Sequence, residues 1–106
     1  MSFLDFLKGP DIHQGVEEYQ RAPGAVLLDV RTPEEYREGR IPGSKNLPLQ
    51  SLDKVGSVAD NKDTPIFVYC YSGSRSRQAA ALLGRMGYAK VKNIGGIAAW
   101  SGKVER

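Results

Sequence analysis

The chain has 106 residues, 41% hydrophobic and 25% charged, the composition of an ordinary globular domain that needs no staples to hold one core. A single Cys excludes an internal disulfide framework, and one Cys with one His excludes a metal site built from those ligands. A net charge of +3 without a Lys/Arg-rich block carries no footprint for nucleic acid, and no run approaches the roughly 18 apolar residues that span a membrane.

In chain order, residues 1–10 read as a short N-terminal arm closed by Gly9-Pro10, and residues 11–106 as one domain. The arm's Phe3, Leu4, Phe6 and Leu7 suit packing on the domain's own core, or docking to a partner. Asp5 interrupts that apolar stretch and no basic segment precedes it, which fits no secretory signal. With one unpaired Cys, the expected location is cytoplasmic.

Residues 11–21 read as a short helix ended by Ala22-Pro23-Gly24. Residues 25–30 form a continuous apolar run closed by Asp29, as in a buried strand. Thr32-Pro33-Glu34-Glu35 is a helix start, with Thr32 as N-cap, Pro33 at the first helical position and Glu35 completing a capping box. Gly39 stops that helix. Residues 45–48 suit a short strand, and residues 49–59 a helix weakened by Gly56. Residues 65–69 are the clearest strand. A polar loop follows, and residues 78–86 are expected to be helical, with Ala79, Leu82, Leu83 and Met86 at helical spacing and Gly87 as the stop. Residues 90–94 are a last strand, and Gly95-Gly96 turns into a short helix around Trp100.

Strands without polar alternation, interleaved with helices, predict an α/β fold. A central, mostly parallel sheet of four to five strands would be flanked by helices on both faces. Ligands in such sheets sit beyond the carboxyl ends of the strands, where the segment after Tyr69 lies. Cys70, Tyr71, Ser72, Gly73, Ser74, Arg75 and Ser76 fill that segment. A Gly/Ser turn leaves amides free, and successive amides with a helix N-terminus favour an anion. A thiol held there is stabilised as thiolate, and Arg75 adds a cation. Cys70 on its own reads as a small buried residue ending a strand. The ordered run of strand, Cys, Gly/Ser loop, Arg and helix reverses that reading. Charge is distributed to match. Residues 64–104 carry Arg75, Arg77, Arg85, Lys90, Lys92 and Lys103 and no acid, which suits either a solvated basic face or a small anion.

These segments resemble the rhodanese family of single-domain sulfurtransferases. Cys70-Tyr-Ser-Gly-Ser-Arg75-Ser76 is similar to its active-site loop. Leu28-Asp29-Val30-Arg31-Thr32-Pro33-Glu34-Glu35-Tyr36 is similar to its first signature. Gly39-Arg40-Ile41-Pro42-Gly43-Ser44 with Asn46-Leu47-Pro48 resembles its second, and Gly95-Gly96 with Trp100 its closing motif. The resemblance runs from about residue 12 to residue 101. It implies a rhodanese-like three-layer fold and a Cys70 thiolate that takes a sulfane sulfur from a small anionic donor such as thiosulfate. A thiophile then removes it: cyanide in an assay, a thiol or protein cysteine in the cell. The amides of Tyr71 to Ser76 would cradle the persulfide, and Arg75 would hold the loop or the anion. The related phosphatase loop has one more residue between Cys and Arg; the four here suit sulfur. Two other thiol roles keep Cys70 but not thiosulfate turnover: a persulfide carrier between proteins, and a redox-regulatory module. No metal, cofactor, nucleic acid or membrane partner is implied, and a monomer is expected.

Asp29 and Arg31 flank a strand end. They read as a pocket-edge charge pair or, preferably, as a structural ion pair. Arg40, where the family often has His, reads as structural or pocket-edge. His13 reads as structural or solvated, Trp100 as a core or lid aromatic, and Arg77 as an anion ligand or a solvated cation.

Overall fold

The computed structural model describes residues 9–106; Phe3, Leu4, Phe6 and Leu7 of the arm lie outside them. Helix α1 (Ile12–Arg21) starts at Asp11, whose carboxylate accepts the amides of His13 and Gln14. Strand β1 (Val26–Asp29) leads into α2 (Pro33–Glu38), where the reciprocal Thr32–Glu35 capping box forms as its spacing predicts. Strand β2 (Lys45–Asn46) is short, and a 3₁₀ segment (Leu49–Ser57) follows. Strand β3 (Ile66–Cys70), helix α3 (Ser74–Arg85), strand β4 (Val91–Gly96) and a 3₁₀ turn (Ile97–Ala99) complete the order.

The sheet has four strands in the order β2-β1-β3-β4, all parallel. Every residue of β1 and β3 is buried, because helices cover both faces. Along β3, Ile66, Val68 and Cys70 enter one core with Leu52, Val55, Ala79 and Leu83. Phe67 and Tyr69 enter the other with Ile12, Val16, Ile41 and Ile94. Removing a Leu-sized side chain from water contributes about 1.5–3 kcal/mol, so either core outweighs the local propensities of the short helices. Because the strands are parallel, Asp29, Cys70 and Gly96 end on one edge of the sheet. No helix of the described residues is long and apolar enough to cross a membrane.

Strand β2 stops at Asn46, two residues short of its expected end, and three further elements differ from expectation. Residues 49–57 wind as 3₁₀ turns broken at Ser51 rather than as α; Leu52 and Val55, the two buried side chains, are three residues apart, the spacing that eclipses in a 3₁₀ turn. Strand β4 runs two residues further than expected, to Gly96. Helix α3 begins at Ser74 rather than near Gln78. Its first turn, Ser-Arg-Ser-Arg, carries no apolar periodicity, so its start is invisible to a pattern of buried positions.

Candidate active site

Cys70 therefore ends β3 instead of opening a long loop, and only Tyr71, Ser72 and Gly73 form the connection to α3. Ser74, Arg75 and Ser76 are the first turn of the helix. Gly73 is its N-cap, in the left-handed region at φ 105°, a conformation a side chain would strain. Gly73 itself has no side chain to cap the helix. The Cys70 sulfur takes that place. Its Sγ accepts the Gly73 amide at 3.0 Å and the Ser76 amide at 3.4 Å. Burial pushes the Cys70 thiol up, yet the Ser76 hydroxyl, when it turns its proton to the sulfur, and the amides of Ser76, Gly73 and Ser72 outweigh it, and its pKa lies below the ordinary value.

The closing motif holds this turn from the side. A Cβ added to Gly96 would fall 2.0 Å from the Tyr71 carbonyl oxygen, so only glycine lets β4 come this close. The Ala98 amide then donates to the same carbonyl at 3.0 Å. β4 carries an irregularity beside it: Val68 pairs with Asn93 but Tyr69 with Gly95. The Asn93 carboxamide, on the residue that flanks the bulge, reaches Ser76, Gly95 and Gly73.

Arg75 pairs with a carboxylate. Its guanidinium grips Glu35 with two hydrogen bonds, at 2.7 Å and 3.1 Å. That pairing suits the loop-holding role of the two open to it. Glu35 is the residue that the sequence reading left incomplete: its position gives the capping box, but nothing local shows its second task, forty residues away. Hydrogen bonding to Arg75 is the main cause that holds the Glu35 carboxyl at about 2, against an ordinary 4.5. A carboxylate with a depressed pKa stabilises the fold above its unfolded pKa and loses that contribution as the pH falls through the folded one. Glu35→Gln is expected to cost about 1 kcal/mol at neutral pH, a figure discounted for the partial exposure of both side chains. In urea titrations the wild-type advantage should shrink from pH 4.5 toward about 2. A gap that stays constant over that interval rules out the ion pair as its source.

Asp29 and Arg31 form no open pocket edge. Their side chains are 0% and 6% exposed and bonded at 2.8 Å; Asp29 lines no described depression. The Arg31 amide and Nε also donate to Asp29, and Nη2 donates to the Gly39 carbonyl. Only Arg31 reaches a shallow depression, shared with Glu35 and Tyr71. Arg40 is structural: its guanidinium lies over the Tyr36 ring and its backbone bridges to Glu105. His13 stacks on Trp100 at 5.0 Å and meets Ser101, and Trp100 packs against the second core. A cleft of about 420 Å³ opens beside the turn, between Pro10 and Ile12, Tyr71 to Gly73, and Ala98-Ala99. Arg77 lines it, and among the described residues no carboxylate pairs with it. No cluster of His, Cys, Asp or Glu able to hold a metal occurs among the described residues.

The sequence profile of the family described as "Rhodanese-like domain" matches residues 13–103. The chain belongs to the rhodanese-like family. This rhodanese-like domain is 37% identical over 71 residues to "Thiosulfate sulfurtransferase PspE" of Escherichia coli, covering 66% of this chain and 68% of that protein. It is 43% identical over 77 residues to a "Sulfurtransferase" of Allochromatium vinosum, covering 72% of this chain and 71% of that one. Among solved structures, a "rhodanese with anions from E. coli" superposes with a TM-score of 0.72 at 31% identity, covering 77% of this chain and 98% of that one. The rhodanese-like three-layer architecture expected from the resemblance is thus the observed one, with four strands among the described residues.

Proposed function

We propose that this domain is a sulfurtransferase that carries a sulfane sulfur on Cys70. The observation that carries this reading is the sulfur itself: Cys70 Sγ caps α3 and accepts the Gly73 and Ser76 amides. Those donors favour a negative charge on sulfur, which is the form that attacks. The names of the relatives above support the same chemistry.

In the first step the Cys70 thiolate attacks the outer sulfur of a small anionic donor such as thiosulfate. The donor's S–S bond breaks, sulfite leaves with its electron pair, and Cys70 holds a persulfide. In the second step cyanide, a low-molecular-weight thiol or a protein cysteine attacks the outer sulfur. The Cys70–sulfur bond breaks and its electron pair returns to Cys70 as thiolate. No cofactor enters. The two half-reactions give ping-pong kinetics. The cleft bordered by Arg77 offers room for the acceptor next to the turn. We take the domain to act in the cytoplasm as a monomer.

A second reading has its own support. Tyr71 and Ser72 bring no cation to the mouth of the turn, Tyr71 is 55% exposed, and Cys70 is fully buried. A donor must therefore enter a site that the resting turn covers, and a persulfidated protein can press on the exposed Tyr71 as it delivers sulfur.

Intact mass after thiosulfate treatment tests the first reading. The expected result is the gain of one sulfur atom, removed by cyanide. If thiosulfate gives no gain but a protein persulfide does, the carrier reading replaces it. If neither loads Cys70 and peroxide yields sulfenic acid or a mixed disulfide, the thiol is redox-regulatory.

A further inference from the structure

One proton in the site has more claimants than it can serve. Ser76 is fully buried. Its Oγ lies 2.7 Å from Asn93 Oδ1, 3.1 Å from the Gly73 carbonyl and 3.4 Å from the Gly95 carbonyl. A hydroxyl donates once, and the shortest of these contacts is the one to Asn93. The orientation of the carboxamide is fixed independently. The Gly95 amide donates at 3.0 Å to the same Asn93 atom, and an amide N–H can face only the oxygen. With its proton on Asn93, Ser76 Oγ turns a lone pair toward Cys70, whose S–H donates to it at 3.5 Å. Once Cys70 ionises, that arrangement sets a lone pair against a thiolate. Relief comes when the hydroxyl swings from Asn93 to sulfur.

We propose that Asn93 is a positioning residue of this site, holding the Ser76 hydroxyl proton away from Cys70 and so restraining thiolate formation until the hydroxyl turns. Asn93 touches neither the sulfur nor a reacting atom; it acts through Ser76. Asn is a poor strand residue, and here it stands directly before the β4 bulge, whose extra residue is Ile94. From that place it serves two ends with one oxygen, fixing the bulge through Gly95 and the hydroxyl of Ser76. Other charges facing the sulfur leave this balance alone. Arg75, from α3, is held by Glu35, Asp29 and Arg31, from the end of β1, neutralise each other, and residues 93–96 of β4 carry no charge. The proposal extends the reading of Cys70 as sulfur carrier, but its test reads thiol acidity rather than transfer, so each can fail alone.

The only cysteine makes the test direct. Thiolate absorbance in the ultraviolet, or the pH dependence of alkylation by iodoacetamide, gives the titration midpoint of Cys70. Asn93→Ala is expected to move that midpoint downward, and to raise the alkylation rate at pH 6 relative to the plateau roughly threefold, as one hydrogen bond changes hands. In a Ser76→Ala background the same substitution should leave the midpoint where Ser76→Ala alone puts it. Asn93→Asp keeps the acceptor for Gly95 and Ser76 and adds a negative charge; its midpoint should move upward, by less when Ser76 is Ala. This variant carries the test if Asn93→Ala does not fold. A residue that only orders the turn predicts the opposite sign for Asn93→Ala, because a loosened turn withdraws the amides from sulfur. An upward or unmoved midpoint in Asn93→Ala overturns the proposal. So does an equal shift with and without the Ser76 hydroxyl, in either Asn93 variant.

Discussion

Cys70→Ser is expected to abolish sulfur transfer while leaving the fold in place. A hydroxyl can still accept the Gly73 amide that now reaches Sγ at 3.0 Å, so the start of α3 keeps a cap. Its oxygen ionises far above neutral pH and forms no persulfide. Losing the nucleophile of a covalent mechanism removes its whole benefit, and residual rates rest on binding alone; a fall of at least about a thousandfold in thiosulfate:cyanide turnover is expected. Initial rates and intact mass measure it, and circular dichroism checks the fold. Retained turnover in the folded variant, with no sulfur gained at residue 70, would refute the persulfide mechanism. Loss of turnover accompanied by unfolding would instead make Cys70 a packing residue, consistent with its place among Val68, Ala79 and Leu83.

Arg31→Met is expected to give the largest loss of stability. Asp29 has no solvent contact, and Arg31 meets its carboxylate through Nε at 3.1 Å and Nη2 at 2.8 Å, with the Tyr69 hydroxyl also against it. Met keeps the volume and removes the charge. A carboxylate left buried without its partner costs about 3–5 kcal/mol. For a chain of this size that lowers the melting temperature by at least about 12 °C. The Gly39 carbonyl loses its Arg31 donor as well, so the end of α2 loosens with β1. Thermal unfolding by circular dichroism reads the effect, and a paired variant separates its causes. Asp29→Asn with Arg31→Met removes both charges, and should recover part of the loss, since an uncharged amide is cheaper to bury than a carboxylate. If Arg31→Met shifts the melting temperature by only a degree or two, Asp29 finds another partner and the pair does not hold the strand end.

Much of this molecule is written locally. The capping box at Thr32–Glu35 needs only residues three apart, and it forms as read. The apolar runs at residues 26–29 and 66–70 are long enough to be buried strands and too short to be core helices, and both are strands. Cys70 could be singled out because strand, Gly/Ser turn and helix fall in one window. Glycines mark the turn for the same reason: the left-handed Gly73 needs no distant residue to explain it. Asn93 left a faint trace, a polar residue poorly suited to strands just before Gly95-Gly96.

Other features were decided only when the chain closed. The start of α3 depended on sulfur acting as its cap, and a thiol is not a capping residue in any sequence rule. Whether Arg75 grips an anion or the fold depended on Glu35, and whether Asp29 and Arg31 frame a pocket or fill a core depended on Gly39 and the strands around them. The difference is one of range. Sequence by itself determines what neighbours a few residues apart can satisfy: caps, turns, strand and helix periods, and the chemistry each side chain brings. Charged and hydroxyl groups have several possible partners each, at separations of eight to forty residues here. Which partner wins is set by the packing of β1, β3 and β4 edge to edge, because burial forbids Asp29, Arg31 and Ser76 to stay unpaired.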